Sequence, residues 1–248
     1  MINIFTKKQF LKDLLEDFVD IHNHILPGID DGSASLAESI ILIKNMKNLG
    51  ITQFIATPHI MGDFYPNNET TIGNAYQSLI LELRKKKLND IIVNPSAEYM
   101  MDNNFEILID QNNLFPLKEN YVLIEMSYFQ PPINLEEILH KLIIKNYIPV
   151  LAHPERYTFY HEKKSYYKVL KQMGCLFQLN MLSLGDHYGK STQKMGMYLL
   201  EENLIDFIAS DIHNDFHIEE IKNLLLNKSQ QQYLPNIIEN TKNTFLVS

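Results

Sequence analysis

The chain has 248 residues, of which 45% are hydrophobic, and a formal net charge of −8 at pH 7. This charge disfavours a general nucleic-acid binder, because such proteins usually carry a basic face. The chain lacks the ~18 consecutive apolar residues of a membrane-spanning helix and the apolar stretch of a secretory signal. Its single cysteine cannot form an internal disulfide. We therefore expect a cytoplasmic protein that is not integral to a membrane.

The first predicted element lies before residue 18. Its apolar residues fall on one helical face and are Phe10, Leu11, Leu14, Leu15 and Phe18. We interpret residues 1–18 as an N-terminal helical extension that covers the amino-terminal end of the fold. Contact with a partner or with a second copy is the alternative, and the oligomeric state stays open.

Short runs rich in Ile, Val and Phe then alternate with longer helical patterns. The predicted strands are residues 19–25, 53–60, 91–100, 121–126, 148–154, 175–181 and 206–213, and the predicted helices are residues 36–50, 75–87, 134–146, 165–174 and 192–203. Because strands that alternate with helices form parallel sheets, we expect an α/β fold in a single domain over residues 1–248. A closed barrel of seven strands is the prediction, and an open doubly wound sheet is the alternative.

Side chains that bind metals are concentrated at the carboxyl ends of these strands, where α/β barrels build their active sites. His22 and His24 share one face of the first strand, because side chains alternate along a strand. Glu98 and Glu125 follow apolar runs, and a buried carboxylate needs a cation nearby. The nine candidate ligands are His22, His24, Asp31, His59, Glu98, Glu125, His153, Asp211 and His213.

Imidazole and carboxylate groups without thiolate suit manganese, iron or zinc. In the loop after the first strand, Gly28 and Gly32 allow the chain to bend back, so that a carboxylate reaches the metals. The alternative is that Asp30 or Asp31 caps the next helix, and we expect this of at least one of them.

Eight short motifs occur in order between residues 19 and 215, namely HNH, PGIDDG, TPHI, AEYM, EM, AHPERY, QLN and SDIHN. Together they resemble the polymerase-and-histidinol-phosphatase (PHP) superfamily. Within it, PGIDDG with AHPERY resembles the bacterial manganese-dependent protein tyrosine phosphatases of capsule and exopolysaccharide gene clusters. The resemblance implies a distorted TIM-like (β/α)7 barrel of the PHP type, which agrees with the count of predicted strands.

The resemblance also implies three divalent metal ions, with manganese expected before iron or zinc. The implied division of ligands gives His22, His24, Glu98 and Asp211 to the first ion; Glu98 as a bridge, Glu125 and His153 to the second; and Asp31, His59 and His213 to the third. Such ions would activate a water that attacks the phosphorus.

The implied reaction is hydrolysis of phosphotyrosine on a protein, which we expect to be a bacterial tyrosine kinase that controls capsular or exopolysaccharide synthesis. Arg156 would bind the phosphate with its planar fork; a surface salt bridge with Glu155 is the alternative. Asp211 and His213 are the candidate general acids, besides a metal-associated water. A histidinol-phosphate phosphatase, or another small-molecule phosphomonoesterase, is the alternative function.

A thiol mechanism is excluded for the implied reaction. Cysteine-based tyrosine phosphatases need an arginine six residues after the cysteine, and Met181 follows Cys175 at that distance.

Two aromatic, proline-containing loops, residues 61–68 and 127–132, follow candidate ligands and should line the rim of the site. Tyr65, Tyr128 and Phe129 are the candidates that flank the phenyl ring of a substrate. The alternative is that these rings only pack the loops onto the fold.

Overall fold

The computed structural model of the chain describes residues 8–246. The strands are β1 (Phe18–Asp20), β2 (Ile51–Ala56), β3 (His59–Ile60), β4 (Ile92–Pro95), β5 (Glu98–Met100), β6 (Tyr121–Glu125), β7 (Ile148–Ala152), β8 (Leu176–Asn180) and β9 (Phe207–Ala209). The α-helices are α1 (Leu36–Lys47), α2 (Glu69–Lys85), α3 (Asn103–Asp110), α4 (Leu135–Ile144), α5 (Ser165–Gln172), α6 (Lys190–Glu201), α7 (Asp215–Asn223) and α8 (Lys228–Phe245). Short 3-10 helices cover Leu11–Leu14, Pro154–Arg156, Thr158–Tyr160 and Met181–Leu184. None of the helices in this described range is long and apolar enough to cross a membrane.

The named strands pair in parallel and form two sheets, one in the order β1-β2-β4 and one in the order β3-β5-β6-β7-β8-β9. The chain runs directly from β2 into β3 and from β4 into β5. The two sheets are therefore connected through these two chain segments, each of which contributes one strand to each sheet. The expected α/β fold with parallel sheets is confirmed.

Two predicted strands, residues 53–60 and 91–100, are each divided by an irregular step. At the first step Pro58 has no N–H to donate, and the Thr57 N–H donates instead to the Asn23 carbonyl at 3.0 Å. Beyond both steps, the short strands β3 and β5 pair with each other, and His59 lies opposite Glu98. The interruption therefore places two candidate ligands side by side.

Backbone contacts also join the segments that follow the first and last strands. The His24 N–H donates to the Ile212 carbonyl at 3.0 Å, and the Asp211 N–H donates to the His22 carbonyl at 2.8 Å. These contacts join the segment after the first strand to the segment after the last strand, as a closed barrel requires. The complete seven-stranded barrel stays a prediction. They also place the first pair of histidines against Asp211.

The sheet is buried on both faces, as is typical of parallel strands covered by helices. Along β6, Leu123 belongs to a small inner cluster, while Val122 and Ile124 pack into the large core beneath the helices. Strand β9 alternates in the same way. The inner cluster also contains Phe245 from the end of α8. Apolar packing thus fills the inside of the strand array and leaves the carboxyl ends of the strands for polar groups.

The expected N-terminal extension is only partly visible, because residues 1–7 lie outside the described range. Leu11 and Leu15 are fully buried in the large core. The Leu11 N–H donates to the Leu224 carbonyl, and the Asp17 N–H donates to the Gly50 carbonyl just before β2. The described part of the extension therefore packs against the end of α7 and the residue just before β2.

Candidate metal centre and active-site cleft

The nine predicted ligands converge on one site at the carboxyl ends of the strands. They form four overlapping groups, and within each group one ligand atom per residue lies within 4.8 Å of the others. The groups are His24, Asp31, His59 and His213; His22, His24 and Asp211; His22, Glu98 and His153; and His59, Glu98 and Glu125. Compared with the division that the resemblance implies, Glu125 lies with His59 and Glu98, and not with His153.

Glu98 lies at the centre of this cluster and is fully buried. Its Oε2 atom lies 3.1 Å from His22 Nε2, 3.5 Å from His24 Nε2 and 3.0 Å from His59 Nδ1. Its other oxygen, Oε1, is hydrogen-bonded to His153 Nε2 at 3.1 Å.

Several of these close contacts do not have the geometry of hydrogen bonds. Glu98 Oε2, His59 Nδ1 and Glu125 Oε1 are buried and have no hydrogen-bond partner among the described residues, although Glu125 Oε1 is 2.9 Å from His59 Nδ1. Buried polar atoms without a partner are rare in native proteins, and a bound ion is one of their ordinary explanations. The residues present therefore fit divalent metal ions.

The two oxygens of Asp211 have different partners. Oδ1 faces the cluster and lies 3.3 Å from both His22 Nε2 and His24 Nε2. Oδ2 faces away from the histidines and accepts hydrogen bonds from Asn180 Nδ2 at 2.8 Å and from Arg156 Nη1 at 3.0 Å. The second oxygen thereby holds the carboxylate in place while the first remains available to a metal.

The ring orientation of the first two histidines is set by their Nδ1 partners. His22 Nδ1 donates to Gln178 Oε1, and His24 Nδ1 donates to Asp30 Oδ2, each at 2.8 Å. The Gln178 amide is oriented by its own donation to the Leu179 carbonyl at 2.7 Å. With the protons on Nδ1, both Nε2 lone pairs point into the cluster, which is the tautomer that metal ligation requires.

The two acids of the PGIDDG loop have separate positions. Asp30 accepts from His24, from the Gly32 N–H and from the His59 N–H, whereas Asp31 Oδ1 lies 3.4 Å from the Nε2 atoms of His59 and His213. The expectation that one of these acids caps the next helix is wrong. Helix α1 is capped by the Ser35 hydroxyl, which accepts from the Glu38 N–H, because the loop is long enough to return to the site before the helix begins.

Gly32 is required where this loop packs against the site. A Cβ atom at this position would overlap the carbonyl oxygen and Cβ of His24. The close approach of the two backbone segments is what brings Asp30 within reach of the His24 ring. The sequence interpretation of a glycine that lets the loop bend back is consistent with this packing.

Two candidate ligands have a left-handed backbone, which is unusual for residues other than glycine. The φ angle is 37° at His153 and 52° at Asp211. Such conformations cost roughly 1–3 kcal/mol each and are concentrated at functional sites, where the surrounding structure enforces them. Here each directs its side chain into the cluster from the carboxyl end of a strand.

The imidazoles and carboxylates of the cluster stabilise each other's charges. Burial lowers the pKa of His24, but the Asp30 carboxylate and hydrogen bonds outweigh this and raise the pKa to about 10. Burial similarly raises the pKa of Glu98, but His22 and His59 hold it well below the usual value. Because a histidine binds metal only as the neutral imidazole, metal binding displaces these protons.

A cleft of about 940 Å³ opens over the cluster. Six of the nine candidate ligands line it, namely Asp31, His59, Glu125, His153, Asp211 and His213. The wall includes the three rim aromatics that the sequence predicts, Tyr65, Tyr128 and Phe129. The Tyr65 ring stacks on His59 with a centroid distance of 5.6 Å, while Phe129 is 94% exposed and has little protein to pack against. Its exposure disfavours a purely structural role for Phe129.

Arg156 also lines the cleft, and its guanidinium lies over two tyrosine rings. The Cζ atom is 4.6 Å from the ring centroid of Tyr128 and 4.0 Å from that of Tyr188. The sequence does not predict the contact of Tyr188 with Arg156, of Asp30 with His24 or of Gln178 with His22. Nothing in the local sequence of these residues shows which side chain they contact.

The alternative interpretation of Arg156, a surface salt bridge with Glu155, is wrong. The Glu155 side chain is fully buried and its Oε1 accepts from the Asn180 N–H at 3.1 Å. Burial raises the pKa of this carboxyl to about 7. Successive residues of the 3-10 turn after His153 point in different directions, so Glu155 faces the core and Arg156 faces the cleft.

Cys175 lies at the opposite end of β8 from the site and is buried. Burial raises the pKa of its thiol to about 12. Because the thiolate is the nucleophilic form, this cysteine is inert at neutral pH, in agreement with the exclusion of a thiol mechanism.

Comparison with known proteins identifies the relatives of this chain. The model of the family described as "Capsular polysaccharide synthesis, CpsB/CapC" matches residues 18–246. The tyrosine-protein phosphatase YwqE of Bacillus subtilis is 35% identical over 207 residues, which are 82% of this chain and 81% of that protein.

Solved structures give the same relationship. A crystal structure from the pair YwqE of Bacillus subtilis and CpsB of Streptococcus pneumoniae, described as unique metal-dependent tyrosine phosphatases, matches with a TM-score of 0.76 and 31% identity over 90% of this chain and 94% of that one. The histidinol phosphate phosphatase of Lactococcus lactis, solved with zinc, L-histidinol and phosphate, matches with a TM-score of 0.51 and 13% identity over 83% of this chain and 91% of that one. At that identity the likeness concerns the fold alone.

Proposed function

The chain belongs to the CpsB/CapC family of capsular polysaccharide synthesis, and on that premise we propose that it is a metal-dependent protein tyrosine phosphatase. The observation that carries the proposal is the position of Arg156 on the wall of a cleft that six of the candidate ligands also line. Three buried atoms of the cluster, Glu98 Oε2, His59 Nδ1 and Glu125 Oε1, have no hydrogen-bond partner among the described residues. A cationic fork beside a multi-metal site suits a phosphate dianion. The 31% identical structural relative is itself described as a metal-dependent tyrosine phosphatase.

We propose that the nine clustered side chains together hold three manganese ions. The four carboxylates among them carry four negative charges, so three divalent ions leave the filled site with a net charge of +2. Bound divalent ions lower the pKa of water to near ~7 and neutralise the oxygens of a transferring phosphoryl group. Asp30 and Gln178 keep the first two imidazoles in the ligating tautomer, as their hydrogen bonds indicate.

Arg156 binds the phosphate from the side of the cluster. Its Nη1 atom already donates to Asp211 Oδ2, so the guanidinium is held next to a proposed metal ligand, and a phosphate that contacts the metals comes within its reach. The leaving group is a tyrosine phenolate, whose parent pKa of about 10 makes it far easier to expel than an alkoxide. The Nδ1 atom of His213 donates to the Asp211 carbonyl at 3.0 Å, so its Nε2 atom would be the one to hold a metal. As ligands, neither His213 nor Asp211 would have a proton to donate, and of the candidate general acids we therefore propose a metal-associated water.

The rim aromatics suit the phenyl ring of phosphotyrosine. Tyr65, Tyr128 and Phe129 supply apolar surface on the cleft wall, from which a polar substrate such as histidinol phosphate gains little. We propose a phosphorylated tyrosine kinase of capsule synthesis as the physiological substrate, a cytoplasmic location, and a single domain over residues 1–248. The role of the family in capsular polysaccharide synthesis supports this choice of substrate.

The test is a comparison of substrates on metal-loaded protein. Phosphotyrosine peptide and histidinol phosphate are compared by kcat/KM after the protein is stripped of metal and reloaded with manganese, iron or zinc. The proposal predicts higher kcat/KM for the peptide and a best rate with manganese. Much faster turnover of histidinol phosphate would overturn the tyrosine assignment and leave only a metallophosphatase.

A matched pair of variants tests the role of Arg156. The chain has two arginines, and Arg84 is exposed at the end of α2 and is not one of the residues that line the cleft. Arg156→Ala should lower peptide kcat/KM by about 10²–10³, as expected for the loss of one transition-state charge donor, with metal content unchanged. Arg84→Ala should have no effect, and equal losses in both variants would refute the assignment.

A further inference from the structure

The side chain of Arg156 is fixed on two sides by features that the sequence does not reveal. Its guanidinium lies 4.0 Å from the ring centroid of Tyr188 and 4.6 Å from that of Tyr128. Contacts of a guanidinium with aromatic faces contribute most where water is excluded, and this side chain is only 19% exposed. The shorter of the two contacts is with Tyr188.

The hydrogen bonds of Arg156 leave most of its donors without a protein acceptor. A guanidinium has five N–H groups, and within residues 8–246 its one side-chain hydrogen bond is the donation from Nη1 to Asp211. The tyrosine rings satisfy the faces of the group but not its edge. The remaining donors are therefore available to an anion in the cleft that Arg156 lines.

The position of Tyr188 is fixed by its own turn and by the neighbouring residue His187. It lies in a tight turn closed by the hydrogen bond from the Gly189 N–H to the Asp186 carbonyl at 2.8 Å, in which Gly189 has a φ of 86°. The His187 ring packs edge-on against Tyr188, and its Nδ1 atom bonds Glu220 Oε2 at 3.0 Å. The turn is thereby anchored to α7, and the tyrosine ring has little freedom to follow a moving guanidinium.

From this arrangement we propose that Tyr188 is a positioning residue, which holds the Arg156 guanidinium by its face so that the free N–H edge is directed to the substrate phosphate. The proposal rests on the proposed function of Arg156. It assigns the effect to the ring of Tyr188 and not to its hydroxyl, because the hydroxyl contacts Asn180 Nδ2 only at 3.4 Å. Tyr188 is not expected to contact a metal.

The experiment compares Tyr188→Leu and Tyr188→Phe with a control in the same chain. Tyr198 is also partly buried and lies under a cation, with Lys164 Nζ 4.4 Å from its ring centroid, but it is not part of the cleft wall. Tyr198→Leu therefore reproduces the loss of a cation–aromatic contact elsewhere. The measurements are kcat and KM for a phosphotyrosine peptide, the dissociation constant of inorganic phosphate, metal content and Tm, all on manganese-loaded full-length protein.

Tyr188→Leu should lower kcat/KM and weaken phosphate binding by about tenfold, the effect of losing a partly desolvated cation–aromatic contact. Tyr188→Phe keeps the ring and should recover most of this loss. Tyr198→Leu should leave both quantities unchanged. Equal losses in the Leu and Phe variants of Tyr188, or unchanged phosphate binding in Tyr188→Leu, would overturn the proposal.

A double-mutant cycle separates positioning of Arg156 from a general structural effect. If Tyr188 acts through Arg156, adding Tyr188→Leu to Arg156→Ala should change phosphate affinity by less than about twofold. A full tenfold further loss in that background would refute the proposal. Because inorganic phosphate is the probe, the cycle gives its answer even if the preferred substrate proves not to be phosphotyrosine.

Discussion

Asp30 offers a sharp test of how the metal cluster is organised, because it contacts ligands without being a candidate ligand itself. Its carboxylate is fully buried and accepts three N–H groups. Oδ2 accepts from His24 Nδ1 at 2.8 Å and from the His59 N–H at 3.2 Å, and Oδ1 accepts from the Gly32 N–H at 3.0 Å. In Asp30→Asn, the amide N–H₂ must face one of these donors, so at least one hydrogen bond is replaced by a donor–donor contact.

The size of the effect follows from the bond to His24. A hydrogen bond to a charged group contributes about 1.5–3 kcal/mol, and each ~1.4 kcal/mol is a factor of ten in affinity. If that bond holds the His24 ring in the ligating tautomer, its loss should weaken metal binding by about 10- to 100-fold, the range known for partners of ligating histidines. Competition with a chromophoric chelator measures this affinity on the metal-free protein.

Asp102→Asn is the matched control. Asp102 also accepts two backbone N–H groups, from Gly62 and Phe105 at 2.9 Å each. Within residues 8–246 it has no hydrogen bond to a histidine. Both variants should lose stability, by about 1–3 kcal/mol for an unsatisfied buried donor, and only Asp30→Asn should lose metal affinity. Equal metal affinity in the two variants would refute the argument that Asp30 orients His24.

Four further predictions concern the metal centre, the N-terminal extension, Cys175 and Phe129. Chelation should abolish turnover and a divalent transition metal should restore it; active protein without such a metal on elemental analysis would contradict the proposed centre. Leu15→Ala should lower the free energy of unfolding by about 2–5 kcal/mol in denaturant titration, because Leu15 is fully buried, whereas a surface docking role predicts no loss. Cys175→Ala, or treatment with iodoacetamide, should leave turnover intact, because the thiol has no role in the proposed reaction; a loss of rate in the variant would revive a thiol mechanism. Phe129→Ala should raise KM for an aryl phosphate more than for an alkyl phosphate, and equal changes would leave the exposed ring without a role in substrate binding.

The hydrophobic periodicity of the sequence does not predict three of the helices, although each is preceded by a residue that favours the start of a helix. Helices α3, α7 and α8 begin after Asp102, Asn214 and Asn227, and each of these side chains accepts a backbone N–H from the first helical turn. Residues of this type are the preferred N-caps. The missed helices are short or, in α8, contain Pro235, so hydrophobic periodicity alone was too weak to identify them.

The sequence by itself determined the parallel α/β fold and the set of residues that meet at the site. Parallel strands present their carboxyl ends on one edge, so ligand-type residues that end separate strands must converge whatever the details of packing. Alternation along a strand likewise places His22 and His24 together, and their Nε2 atoms lie 3.3 Å apart.

Only the tertiary structure decided how those residues are held. His22 is oriented by Gln178, which lies 156 residues away in the chain, and Arg156 is paired with Asp211, 55 residues away. Neither partner has a local signal, because a hydrogen bond between side chains depends on strand register and loop path. The different roles of Asp30 and Asp31 were likewise decided only by the tertiary structure. The two residues are neighbours in sequence, but the loop turns Asp30 towards the His24 ring and Asp31 towards His59 and His213.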